Sequence, residues 1–148
     1  MSANPKISIV IPVYNEEATV REAMRRLRAF FKLKGVSWEC VIADDGSTDR
    51  TREFVLAEMA SQEGESFLIE SSPKNLGKGA AVRRGVLAAH GDFILVTDVD
   101  LSSPIKESDK LLAALDDGYD IAIGSRAVHS SGADVQQTPA RESATGPA

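Results

Sequence analysis

Asp98 and Asp100 stand two residues apart, just after the apolar run "FILV" where a buried strand would meet water. Side chains at i and i+2 of an extended chain leave the same face, so these carboxylates can converge on one point. Like charges so placed repel, and one would stay protonated unless a cation lies between them. Mg2+ or Mn2+ meets that need, since each prefers hard oxygen ligands, commonly one or two carboxylates completed by phosphate oxygens and water. A metal held this way implies a phosphorylated ligand. The same acids would also suit a solvated turn that caps the next helix; their position at a strand end favours the metal.

Other polar clusters fall at similar places. "ADDGSTD", residues 43–49, is an acidic corner in which Gly46 allows a tight turn and Ser47 or Thr48 can cap a helix. It is either a good turn or a carboxylate that accepts the imide N–H of a uracil or the N–H groups of a guanine. "PVYNEE", residues 12–17, offers Tyr14 for stacking on a base and Glu16 for a ribose hydroxyl. "GSR", residues 124–126, aims Arg126 at the same rim, suited to a diphosphate. "NLGKGAAVRRG", residues 75–85, looks like a phosphate loop but lacks the spacing of an ATPase loop, so its small residues are read as close helix packing. Arg21, Arg25, Arg26, Arg28, Lys32 and Lys34 form a basic helix surface, read as an ordinary solvated face ahead of a peripheral contact with an anionic membrane. His90 and His129 have no ligand-spaced partners, and Cys40 within "WECVIA" reads as a small buried hydrophobe.

The elements that must position these residues alternate. "KISIVIPV" is apolar at nearly every position, the mark of a strand covered on both faces and so of a parallel sheet. Helical spacing runs from Glu16 to about Lys34 and Gly35 stops it; "WECVIADD" is the next strand, and Thr48 caps a helix from Asp49 to about Ser61. "SFLIESS", a helix over "GKGAAVRRGVLAAHG", "DFILVTDV", a helix after Ser103-Pro104 ending at Gly118, and a fifth strand "YDIAIGS" complete the pattern. The expected fold is α/β: an open, mostly parallel sheet with helices on both faces and ligands at the carboxyl ends of its strands. Residues 1–126 are expected to form this domain, and residues 127–148, rich in Ser, Gln, Thr, Gly and Pro, a flexible tail.

At 148 residues and 43% hydrophobic, the chain has material for one core. A net charge of -5 argues against nucleic acid as a partner. One cysteine and no apolar run long enough for a span lead to a cytoplasmic expectation.

Taken in order, "SIVIPVYNEE", "DDGSTD", "GKGAAVRRG", "TDVDLSSPI" and "DIAIGSR" resemble the inverting glycosyltransferases of family 2, which have the GT-A fold (the nucleotide-diphospho-sugar transferase, Rossmann-like fold). The nearest branch is that of dolichyl-phosphate and undecaprenyl-phosphate hexosyltransferases. The resemblance covers residues 6–126, and more weakly to Glu142. It implies that Pro12, Tyr14, Glu16, Ala43 and Asp45 line a nucleoside pocket, with Asp98, Val99 and Asp100 as the Asp-x-Asp element. Asp100 would bind Mg2+ or Mn2+ most directly with Ser102 beside it, and Arg126 and Arg141 would contact the sugar nucleotide.

The implied reaction moves a hexose, from UDP-glucose ahead of GDP-mannose, to a polyprenyl or dolichyl phosphate at the cytoplasmic face of a membrane. The cation and Arg126 would stabilise the leaving diphosphate, while a phosphate acceptor, with a second pKa of about 6, is already largely dianionic and needs no general base. Val99 replaces the family's usual alanine, the tail before Arg141 lacks the usual aromatic residues, and relatives continue past the position of Ala148. A C-terminally truncated, sugar-nucleotide-binding form without turnover is therefore the alternative. A haloacid-dehalogenase-like phosphatase is a remote third, because its nucleophile motif follows the first strand, whereas "DVDLS" follows the fourth.

Overall fold

With apolar side chains on both sides of its backbone, "ISIVIPV" must be covered twice, and Ile7–Val13 forms the inner strand β1. The computed structural model describes residues 3–61 and 66–124. It divides into two compact units, Met1–Leu101 and Ser102–Ala148.

In the first unit, β1 is followed by α1 (Val20–Lys34), β2 (Trp38–Asp44), α2 (Thr51–Ala60), β3 (Phe67–Ser71), α3 (Lys78–Ala88) and β4 (Phe93–Val96). The strands form one 4-stranded sheet in the order β3-β2-β1-β4, and every pairing is parallel. Ile7 stands opposite Trp38 on one side and Phe93 on the other, which brings the carboxyl ends of all the strands to one rim.

Crossovers between parallel strands are right-handed, so successive steps outward from β1 to β3 put α1 and α2 on one face, and the return from β3 to β4 puts α3 on the other. Side-chain contacts agree. Phe31 of α1 stacks on Trp38 with ring centres 5.1 Å apart, and Phe67 meets Trp38 edge-on at 5.3 Å. On the opposite face Gly85 of α3 passes so close to the sheet that an added Cβ would lie 2.4 Å from Val10 Cγ1. Val20, Ala23, Met24, Leu27 and Phe31 form the buried stripe of α1 at helical spacing. Each large side chain so buried contributes roughly 1.5–3 kcal/mol.

Several boundaries differ from the sequence expectation. α1 begins at Val20 rather than Glu16, because residues 17–19 form a turn closed by Thr19 N–H on Glu16 O at 3.1 Å, and Thr19 at φ -121 lies outside the helical range. α2 begins at Thr51, whose N–H donates to the Asp49 carboxylate at 2.9 Å; Thr48, the expected cap, instead directs its own N–H to Asn15 Oδ1 at 2.8 Å. The basic surface of α1 is partly engaged: Arg25 and Arg28 pair with the buried Glu58 of α2 at 2.8 and 3.5 Å, and Arg21 lies over the Phe54 ring.

Among the described residues of the second unit, a 3-10 turn, Ile105–Glu107, runs into α4 (Ser108–Asp116). The expected fifth strand does not form within residues 119–124, where Ile121 and Ile123 are 78% and 83% exposed. β propensity takes effect only where a neighbour supplies a hydrogen-bonding ladder, and among the described residues of this unit there is no other strand. No helix among the described residues is long and apolar enough to cross a membrane.

At the amino end of the sheet Glu39 is buried beside Ser8, with the exposed His90 next to it. Its Oε1 accepts the Ser8 hydroxyl at 2.5 Å and the His90 N–H at 2.6 Å, while Gly91 N–H donates to Ser8 Oγ at 2.7 Å. His90 Nδ1 lies 3.3 Å from Glu39 Oε2. Burial raises the Glu39 carboxyl, but these hydrogen bonds and the nearby imidazole outweigh it, and the group rests below its ordinary value of 4.5. Next to it, burial and the Glu39 charge push the Cys40 thiol far up, beyond the range in which a thiolate forms.

Two measurements check this packing. Gly85→Ala is expected to force α3 off Val10 and lower the urea-unfolding free energy by about 1–3 kcal/mol; unchanged stability would mean that the helix stands further from the sheet. A carboxyl lowered on folding stabilises above its ordinary value and loses that contribution as pH falls through the lowered one. Glu39→Gln should therefore cost about 1–3 kcal/mol at pH 7, with the gap to the parent closing in acid unfolding below pH 4.5; a pH-independent gap would contradict this account.

Candidate active site

The rim at the carboxyl ends of the strands is assembled by hydrogen bonds between loops distant in sequence. Asn15 is central to one set. Its Oδ1 accepts the N–H groups of Thr48 and Asp49 at 2.8 and 3.3 Å, and its own N–H donates to Ser47 Oγ at 3.0 Å. Glu16 N–H reaches Thr51 Oγ1 at 2.7 Å, and Arg50 N–H reaches Glu17 Oε2 at 2.9 Å. The loops "PVYNEE" and "DDGSTD" thus form one structure, which fixes where Tyr14 and Glu16 project. Glu16 Oε2 also accepts the Thr19 hydroxyl at 2.7 Å.

Asp45 organises the second set. It is 3% exposed, and its oxygens accept Leu76 N–H at 3.0 Å and Gly77 N–H at 2.8 Å, immediately before α3. A carboxylate here satisfies orphan donors and faces the positive end of the helix dipole. Arg84 lies 3.9 Å from the same carboxylate and donates to Asp44 O at 2.9 Å. Gly46 makes the approach possible, since it holds φ +76 and an added Cβ would meet the Lys74 carbonyl carbon at 2.5 Å.

Beyond β4 the chain does not stay extended. Leu101 N–H donates to Asp98 O at 3.0 Å, closing a turn, and Leu101 takes φ 48, a left-handed conformation uncommon for a bulky residue. Val99 and Leu101 are buried while Asp98 and Asp100 face outward, so the alternation expected of a strand survives within a turn. Lys78, the first residue of α3, places Nζ 2.6 Å from Asp98 Oδ1.

Pro12, Tyr14, Glu16, Asp45, Asp98, Val99 and Asp100 line one cavity of about 510 Å³. It lies where neighbouring connections leave the sheet in opposite directions, β1 leading to β2 and β4 being reached from β3, the switch point at which open α/β sheets bind ligands. Ala43 is fully buried in β2 and is not among the residues lining the cavity. Ser102 belongs to the second unit, and Arg126 and Arg141 lie outside the described residues. The sequence reading missed Asn75 and Lys78, which also line the cavity. The lysine between glycines ahead of a helix is the available signal, but without the spacing of an ATPase loop only the small residues around it receive a role, in helix packing.

Among the described residues no group of three or more His, Cys, Asp or Glu gathers to hold a metal. Asp98 and Asp100 alone still match a hard divalent ion that takes its other ligands from phosphate and water, and the Lys78 ammonium shows that this corner already accepts a cation.

The family model for glycosyl transferase family 2 matches residues 8–144. An undecaprenyl-phosphate 4-deoxy-4-formamido-L-arabinose transferase of Salmonella paratyphi A is 39% identical over 117 residues, covering 78% of this chain and 35% of the relative. The chain thus spans about a third of the length of the curated relatives it matches. Among solved structures, Staphylococcus aureus TarS 1-349 in complex with UDP-GlcNAc superposes with a TM-score of 0.58 at 29% identity, covering 76% of this chain and 31% of that one. Glucosyl-3-phosphoglycerate synthase from Mycobacterium tuberculosis, in complex with Mn2+, UDP and glucosyl-3-phosphoglycerate, gives 0.57 at 28% identity, covering 75% and 39%. With the parallel sheet, the switch-point cavity and the paired aspartates, these matches show that the chain belongs to glycosyl transferase family 2.

Proposed function

We propose that the cavity binds a nucleoside-diphosphate sugar and that the chain contributes the donor half of an inverting transfer of a hexose to a polyprenyl phosphate. The observation that carries this reading is the convergence of Tyr14, Glu16, Asp45, Asp98 and Asp100 on one cavity at the sheet's switch point. The relatives support the two partners separately: one is an undecaprenyl-phosphate transferase, and the solved structures contain UDP-GlcNAc or UDP with Mn2+. UDP-glucose is the favoured donor, with GDP-mannose next. The transfer would take place at the cytoplasmic face of a membrane, where a polyprenyl phosphate presents its headgroup.

Each residue has a role suited to its chemistry. Tyr14, 44% exposed at the rim, offers a ring for a base to stack on. The Glu16 oxygen that is not bonded to Thr19 is an acceptor for a ribose hydroxyl. Asp45 keeps Asn75–Gly77 in place and retains lone pairs for a base N–H, because a carboxylate offers about four acceptor sites. Asp98 and Asp100 would hold Mg2+ or Mn2+. Bound there, the ion would neutralise charge developing on the diphosphate as the bond to the sugar breaks. By the family resemblance, Arg126 and Arg141 are proposed to contact the sugar nucleotide and Ser102 the metal, whereas Ala43, buried in β2 and off the cavity lining, is given no contact.

Calorimetry with UDP and GDP, with and without Mn2+, tests the donor site. UDP binding should require Mn2+ and weaken about tenfold or more, equal to about 1.4 kcal/mol, in both Asp98→Asn and Asp100→Asn. Equal binding without metal would remove the basis of the reading. Radiolabelled UDP-glucose with a short polyprenyl phosphate tests transfer: labelled lipid is the expected product, and binding without labelled lipid would restrict the chain to a donor-binding role.

A further inference from the structure

Lys78 is the only basic residue among the described residues lining the cavity, beside four acidic ones, Glu16, Asp45, Asp98 and Asp100. Its ammonium lies 2.6 Å from Asp98, with both side chains more than half exposed. A diphosphate entering this cavity would face an acidic wall whose single described cation is engaged with an aspartate. That arrangement suits a protein awaiting a divalent ion better than one already prepared for an anion.

We infer that Lys78 is a resident counter-ion that changes partners: it holds Asp98 before the ligands arrive and moves to a diphosphate oxygen when a divalent ion takes Asp98. The inference rests on the donor-site reading above. Three features make the exchange physically reasonable. An exposed ion pair is weak, so a divalent ion displaces the ammonium at small cost. Lysine is a point charge on a flexible stem with three donors, able to swing between neighbouring oxygens where a planar guanidinium would need a matched fork. Lys78 also opens α3, and the positive end of that helix dipole favours an anion on the same side. The exchange leaves the net charge of the corner unchanged, with one ammonium beside the two carboxylates Asp98 and Asp100 before loading, and a dication plus the ammonium beside those carboxylates and a doubly charged diphosphate afterwards.

Lys78→Gln tests this, since glutamine keeps helix propensity and length while removing the charge. Mn2+ affinity of the protein alone is read from the electron paramagnetic resonance signal of free Mn2+. It is expected to tighten about two- to fivefold in Lys78→Gln, the scale of an exposed ion pair. UDP binding in saturating Mn2+, read by calorimetry, is expected to weaken about tenfold, the scale of a charged hydrogen bond. Uridine, which lacks phosphate, should bind parent and variant alike, and Lys78→Arg should recover part of the UDP affinity. Unchanged Mn2+ and UDP affinities in Lys78→Gln would overturn the exchange, as would uridine weakening in step with UDP. If the parent itself binds neither Mn2+ nor UDP, the donor-site reading falls and the exchange with it; if the parent binds both and Lys78→Gln matches it, only the exchange falls.

Discussion

A carboxylate 3% exposed must find donors or be expelled, and Asp45 finds them in Leu76 N–H and Gly77 N–H, across the chain from its own strand. That tie couples the end of β2 to the start of α3. The coupling runs both ways, because the helix needs its first donors satisfied and the aspartate needs a positive surrounding. Gly46 allows the backbones to approach closely enough, and Arg84 supports the charge from behind. With α3 fixed at its first turn, Lys78 and Asn75 are held at the cavity wall. Without the tie, the loop before α3 would have no reason to lie against β2, and the cavity would lose that wall.

The opposite wall is secured by many modest bonds rather than one strong one. Asn15 in a left-handed conformation spreads its side chain under Thr48 and Asp49, and the Glu16 and Glu17 backbones answer with bonds to Thr51 and Asp49. The neutral bonds among these each have a net worth of about 0.5–1.5 kcal/mol and the one to the Asp49 carboxylate about 1.5–3 kcal/mol, so the wall is held by their sum. Their collective effect is to give loops about 30 positions apart in sequence a shared geometry. Polar residues at strand ends therefore have two duties here, building the rim and offering the atoms left over to a ligand.

This division explains what was legible in the sequence. Strands buried on both faces announce themselves as apolar runs, as β1 and β2 do in "ISIVIPV" and "WECVIAD", and the less covered edge strands β3 and β4 stand at the shorter runs "FLIES" and "FILV". Acidic and aromatic residues at the ends of such runs were found too, because a strand end in an open sheet is already a candidate site. Partnerships between loops could not be read. Nothing in "PVYNEE" says that Asn15 will support Thr48 rather than face water, and nothing in "NLGKG" says that Lys78 will reach Asp98 instead of covering a helix. Local pattern also overshot at "YDIAIGS", where apolar β-formers without an adjacent ladder remain irregular over residues 119–124. Periodicity reports which faces want covering, whereas pairing depends on what the rest of the chain brings near.

The position of Cys40 has a practical outcome for anyone handling the protein. Its sulfur is sealed within β2 with no exposed area, and burial together with the charge of the neighbouring Glu39 holds its proton far more tightly than in free cysteine. Alkylating reagents attack the thiolate, so in the native state they would find nothing to react with. The lone thiol is then a built-in clock: the speed at which a maleimide labels it reports how often β2 separates from its neighbours, without any probe having to be added.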